Sequence, residues 1–226
     1  MAAIDRRDFM RGAALTGAGL ALGCGRQDRA SGIGDAADQV SDRALLIDGA
    51  SVFDVRAAAM RPETSVLVRA GRIEAVAPAT ELNADSDAAA GAARIDGAGL
   101  FVLPGLIDAH VHITHILYQS HMTGDEVLPF YLGHGVTSIR STGDNVPAQR
   151  LIERYADDHP EISPNVFRCS FLIDGNPPWH PDVGWYLATP ADVDPFVADM
   201  VAWGVKTLKL YVGVGREVGR RVIEVG

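Results

Sequence analysis

The sequence predicts an α/β chain in two parts: a small β-sandwich-like unit over residues 42–105, then strands alternating with helices over 106–226. Three observations carry this. From Ala44 to Val102, apolar residues recur at every second position, the period of a strand with one buried face. After Pro104, short apolar runs alternate with longer stretches of helical periodicity, as in βαβ units joined by right-handed crossovers. The chain has 24 Gly and 12 Pro, enough for many turns, and no stretch has the composition of a long disordered tract.

Each element has its own signal. "ALLIDGASVFD" (44–54) and "SVLVRAGRIEAVAP" (65–78) read as strands, the second folding back on itself at Gly71 as a hairpin. "LNADSDAAAGA" (82–92) lacks periodicity and reads as a loop, and "ARIDGAGLFVLPG" (93–105) adds a strand or two. "LIDAHVHI" is an apolar strand, and "DEVLPFYLGHG" a short helix interrupted by Pro129. "VTSIRS" is the next strand, and "PAQRLIERYADDH" a helix with Pro147 in its first turn. "PNVFRCSFLI" reads as a single third strand. In "TPADVDPFVADMVAWG", Thr189 and Asp192 form a capping pair, Pro195 splits or restarts the helix, and Gly204 ends it. "VKTLKLYV" is the fourth strand, and "GREVGRRVIEV" opens a fourth helix.

The 121 residues from 106 to 226 hold about four β/α units. A (β/α)8 barrel takes about 250 residues, roughly 31 per unit. The expected architecture is therefore a partial (β/α)8 TIM-type barrel that stops inside its fourth helix. Such a half-barrel is expected to expose strand edges and inner-face apolar residues such as Val136, Ile139 and Leu208.

A formal charge of −9 with 47% hydrophobic residues suits a folded domain and excludes nucleic acid as a partner bound by phosphate neutralisation. The N-terminal "DRRDFMRGAALTGAGLALGCG" sets Arg6 and Arg7 ahead of an apolar run from Gly12 to Gly23. That run falls short of the ~20 residues a membrane span needs. The segment resembles a twin-arginine export signal, so residues 1–30 are expected to be a signal and linker, and the protein periplasmic. Gly23-Cys24 resembles a lipobox, which makes Cys24 a candidate for lipidation and membrane anchoring; plain cleavage is the alternative. Cys169 is the other cysteine, so loss or lipidation of Cys24 leaves no intramolecular disulfide.

The chemistry concentrates in "LPGLIDAHVHITH" (103–115). Side chains at i and i+2 of a strand share a face, so His110 and His112 point together into the barrel at its C-terminal end. Two neutral imidazoles converging there form the edge of a site for zinc or a similar divalent ion. Asp108 shares that face and is placed to orient the ligands, whereas His115 has the opposite parity and lies past the strand.

Pro104-Gly105 before an apolar strand carrying Asp-x-His-x-His resembles the first barrel strand of the amidohydrolase superfamily, in its prolidase-like and imidazolonepropionase-like branches. "GHGVTSIRSTGD" (133–144), "FLIDGNPPWHP" (171–181) and "GVKTLKLYVG" (204–213) extend the resemblance from residue 42 to the end. It implies a metal-dependent hydrolase of C–N bonds acting on a small-molecule amide, dipeptide or cyclic amide through a metal-activated water. His110 and His112 would be metal ligands. Lys209, carboxylated by carbon dioxide, would bridge two divalent metals, zinc by preference, while Lys206 has the wrong parity. Tyr211, His180 and the adjoining Trp179 would contact substrate. Two further histidines and the catalytic aspartate are expected on strands beyond residue 226, so the chain alone is not expected to turn substrate over. The alternatives are a truncated non-catalytic amidohydrolase-like fragment and a periplasmic binding lipoprotein.

Replacing Arg6 and Arg7 together by Lys is expected to hold the protein in the cytoplasm. Subcellular fractionation of the double variant checks this, and export by the same route would contradict it.

Overall fold

The computed structural model describes residues 44–122 and 124–226, so the export signal and Cys24 lie outside the described residues. The fold divides after Pro104 into two compact units.

In the first unit, β1 (Leu45–Asp54), β2 (Ala59–Arg69) and β3 (Arg72–Pro78) form an antiparallel meander. The β2–β3 turn puts Ala70 at φ 47° and Gly71 at φ 69°. Positive φ at both central residues matches the twist of a tight hairpin. The free edge of β1 is shared in tandem: β4 (Ala93–Asp96) runs parallel to Leu45–Asp48, and β5 (Phe101–Val102) to Ser51–Val52. Both late strands therefore extend one five-stranded sheet, which among the described residues is the only sheet within this unit, where a sandwich was expected. The loop supplies the covering layer instead. Leu82 and Ala89, the latter in a single 3-10 turn (Asp87–Ala89), bury against Leu46 and Leu67.

In the second unit every strand pairing is parallel. β6 (Leu106–Val111) is followed by α1 (Ile113–Ser120), α2 (Gly124–Gly133), β7 (Val136–Ser141) and α3 (Val146–Asp158). Then come β8 (Asn165–Phe167), β9 (Cys169–Asp174), β10 (Gly184–Tyr186), α4 (Val193–Ala202), β11 (Thr207–Leu210) and α5 (Arg216–Val225). The sheets are ordered β6-β7-β8 and β10-β9-β11, and among the described residues no barrel closes.

Several expectations are corrected here. "LIDAHVHI" ends as a strand at Val111, and an unexpected helix, α1, begins directly after His112. The third strand is two, because its edge partner changes at Arg168: β8 pairs with β7, while β9 lies between β10 and β11. At the change, the buried Gln149 of α3 stands in for a strand, its Nε2 donating to Cys169 O (2.9 Å) and its Oε1 accepting from Cys169 N (3.1 Å). The largely buried Arg168 side chain pairs with Glu153 at 2.6 Å. Pro195 does not split its helix, because it sits in the first turn of α4, where no intrahelical donor is lost. The Thr189/Asp192 capping box sits on the 3-10 turn leading into α4, and Gly204 (φ 76°) follows the helix. Ile139 is fully buried rather than exposed, in a cluster with Val111, Ile113, Leu128 and Ile152. Val136 and Leu208 are half-buried, whereas Leu106 (61%) and Ile107 (67%) stand in solvent.

Gln149→Leu keeps the volume but leaves the buried Cys169 N–H and C=O unpaired. A loss of about 1–3 kcal/mol is expected for each orphaned group, read as a lower urea midpoint at unchanged slope.

Candidate functional site

The C-terminal ends of β6, β7, β9 and β11 carry the chemistry. His110 is in β6, and His112 lies one residue past its end, at the N-cap of α1, with φ −123° and ψ 74°. Their rings still meet, edge to face, with centroids 5.4 Å apart. The pair therefore converges although the strand ends between its members.

His112 is fixed by a backbone acceptor: its Nδ1 lies 3.0 Å from Gly143 O. A carbonyl can only accept, so Nδ1 carries the proton and Nε2 keeps its lone pair. Gly143 adopts φ +109°, and a Cβ there would fall 2.2 Å from Leu172 Cδ2 and 3.1 Å from Lys209 Cγ. Only glycine lets this carbonyl approach the histidine, and the same contact places Lys209 beside it.

Lys209 stands at a bulge, since Thr207 pairs with Cys169 but Lys209 with Leu172. Ser170 Oγ accepts the Lys209 N–H at 3.0 Å. The Lys209 ammonium is the main influence holding the His110 imidazole below its ordinary pKa, with burial and the His112 ring adding to it. A depressed pKa keeps that imidazole neutral near pH 7, the form that ligates metal. His110, His112 and Lys209 are thus brought together. Two imidazoles, one with its free nitrogen set by a backbone carbonyl, fit part of a divalent-metal site. Among the described residues no cluster of three or more His, Cys, Asp or Glu side chains is placed to hold an ion.

Asp108 does not reach either ring through its carboxylate; its Oδ1 accepts the His110 backbone N–H (3.1 Å). Lys206 is exposed.

His115, His180 and Tyr211 form a second group. The His115 and His180 rings lie 5.2 Å apart, and His180 Nε2 is 3.2 Å from Tyr211 Oη. Trp179 is 74% exposed beside them in sequence.

Two buried aspartates that the sequence reading passed over support these groups. Asp144 accepts from Thr114 Oγ1 (2.8 Å), Ser141 Oγ (2.9 Å), His115 N (3.0 Å) and Thr114 N (3.2 Å). Asp174 accepts from Trp179 N (2.6 Å) and Gly213 N (2.7 Å), tying the loop that bears His180 to the one that follows Tyr211. Burial pushes the Asp174 carboxyl up, but the N–H groups of Trp179, Gly175 and Gly213, with His180 nearby, outweigh it and hold it below the usual carboxylate range. The available signal was "STGD" and "IDGN": an acid next to glycine where an apolar strand runs out.

The fold has counterparts among solved structures. A prolidase solved with N-methylphosphonate-L-proline superposes with a TM-score of 0.66 at 15% identity, over 80% of this chain and 53% of the other. Molinate hydrolase gives 0.64 at 17% identity, over 81% and 51%. Bottromycin amidohydrolase gives 0.61 at 21% identity, over 92% and 41%. Over the residues superposed, the chain shares the mixed α/β fold of these structures. Adenine deaminase of Chelativorans sp. (strain BNC1), likewise an amidohydrolase, is 39% identical over 80 residues, 34% of this chain and 12% of its own length. No protein-family model matches. The chain spans about half the length of these amidohydrolase structures.

Asp174→Asn is expected to cost about 1–3 kcal/mol by loosening the N–H groups it collects. A carboxyl held low in the fold stabilises it above the ordinary aspartate pKa of about 3.9, and that contribution is lost as pH falls through the lowered value. Wild type should therefore lose stability on acidification below that range while the variant changes less. Parallel acid limbs in urea titrations from about pH 5 down to about pH 2 would contradict this.

Proposed function

We propose that the chain carries the first half of a metal-dependent amidohydrolase site that cleaves a C–N bond in a small amide, dipeptide or cyclic amide. The observation that carries it is the His112–Gly143 hydrogen bond, which leaves Nε2 free beside the His110 ring, with Lys209 packed against the same Gly143. The amidohydrolase fold of the neighbours supports it, and in this reading the parallel strands are part of a (β/α)8 barrel that follows a small N-terminal β domain. The names of the similar proteins, prolidase, molinate hydrolase and Xaa-Pro dipeptidase, agree with a hydrolase of C–N bonds.

His110 and His112 would hold the metal through imidazole nitrogens, and Lys209, carboxylated by carbon dioxide, would add an anionic bridge to a second ion. A divalent ion bound there supplies Lewis acidity towards a carbonyl and lowers the pKa of water. Gly143 O keeps His112 in the ligating tautomer. His180 and Tyr211, hydrogen-bonded to each other, would bind the polar end of the substrate, with Asp174 orienting their loops. The N-terminal segment would export the protein by the twin-arginine route to the periplasm, with a lipid at Cys24 as the anchored form.

One observation favours the alternative, a chain that binds without catalysing. The described residues present two imidazoles and a lysine, and no histidine, cysteine or carboxylate joins them as a third ligand of those types.

Purified protein washed free of metal and given zinc with bicarbonate tests both readings. His110→Ala and His112→Ala should each reduce zinc content at least tenfold, and His115→Ala much less. Bicarbonate should raise zinc retention in wild type but not in Lys209→Ala. Equal losses at all three histidines would refute the site, and hydrolysis of dipeptides or N-acyl amino acids by the zinc form would refute the binding-only alternative.

A further inference from the structure

We propose that Asp144 is a positioning residue for this metal centre, acting through His112; the inference rests on the metal reading above. The segments 111–115 and 141–145 are joined by three successive rungs. Thr142 N and Oγ1 both donate to Val111 O, at 2.9 and 3.2 Å. His112 Nδ1 donates to Gly143 O at 3.0 Å. Asp144 takes the Thr114 and His115 N–H groups and the Thr114 hydroxyl. The rung that fixes the histidine tautomer is thus the middle one, with Asp144 on one side and a strand-like bond on the other.

Asp144 is fully buried, and its remaining partner, Ser141 Oγ at 2.9 Å, anchors it to the end of β7. Thr114 Oγ1 also accepts the Asn145 N–H (3.2 Å), so the outer rung closes on both segments. The helix it caps has no side-chain cap of its own, because its N-cap position is His112. A carboxylate at a helix N-terminus meets both the orphan N–H groups and the positive end of the dipole. Removing it frees the first turn of α1, and with it the ring that Gly143 O holds. The Asp144 carboxylate is taken up by Thr114, His115 and Ser141, so its role is to hold the segment that sets which nitrogen of His112 is free.

The test uses the full chain with 15N-labelled histidine. In metal-free wild type, the imidazole nitrogen shifts of His112 should show protonated Nδ1 and unprotonated Nε2. Asp144→Asn, and Thr114→Val as a milder second variant, should give averaged shifts characteristic of mixed tautomers. Both should bind zinc about 10- to 100-fold more weakly in competition with a chromogenic chelator, the range for lost partners of a metal-bound histidine. Thr114→Ser restores the hydroxyl and should recover both readouts. Circular dichroism checks that the variants fold; if Asp144→Asn does not, Thr114→Val and Thr114→Ser decide. A His112 signature and zinc affinity unchanged in folded Thr114→Val would overturn the proposal, as would mixed tautomers in wild type. If wild type binds no zinc, the proposed function fails. The metal-free shifts then decide the positioning role alone: a locked tautomer lost in Thr114→Val supports it, and one kept overturns it.

Discussion

The buried carboxylate of Asp144 is the interaction on which the rest of the second unit's site depends. A carboxylate removed from water is costly unless donors replace its hydration, and here four protein donors surround it. Those donors come from β7 and from the first turn of α1, so satisfying one charge brings together segments about thirty residues apart. The same stretch carries Gly143, whose missing side chain makes room for Leu172 of β9 and Lys209 of β11. Three strand ends are therefore registered against one another by a single turn.

The device recurs at the end of β9. Asp174 closes β9 as Asp144 follows β7, and it too collects backbone N–H groups, one from the loop that follows it at Trp179 and one from the distant Gly213. The physical need is common to both. Parallel strands satisfy their own backbones along the ladder, but the loops beyond their C-terminal ends have no ladder to join. An ionised carboxylate, which only accepts and does so at several sites, cross-ties such loops where a neutral side chain could not. The imidazoles and the lysine rest on this frame.

What was legible in the sequence was what depends on near neighbours. The i, i+2 spacing of His110 and His112, the Gly71 hairpin, the capping box at Thr189 and the βα alternation all follow from local periodicity or turn chemistry, and all appear. What was missed depends on distant partners. α1 begins with a β-branched residue directly after a strand, and its cap comes from residue 144, so nothing local announced it. The third strand read as continuous because its interruption is made by Gln149, some twenty residues away. The expected sandwich failed because β4 and β5 share one edge of β1, a choice of pairing that alternation cannot reveal. Ile139 was placed on the wrong face for a related reason: the side a parallel strand turns to its helices is set by packing, not by its own pattern.

The eight-residue length of α1 has a consequence for the order in which the molecule assembles. So short a helix is marginal by itself, since nucleation is unfavourable and few propagating bonds offset it. Its stabilising carboxylate arrives only when β7 has docked on β6 and the following turn has closed, a contact of considerable sequence separation whose loop entropy must be overcome first. The orientation of His112 is thus a late event in folding, since the first turn of α1, whose Ile113 belongs to the same buried cluster as Val111 and Ile139, is held only once that core has closed.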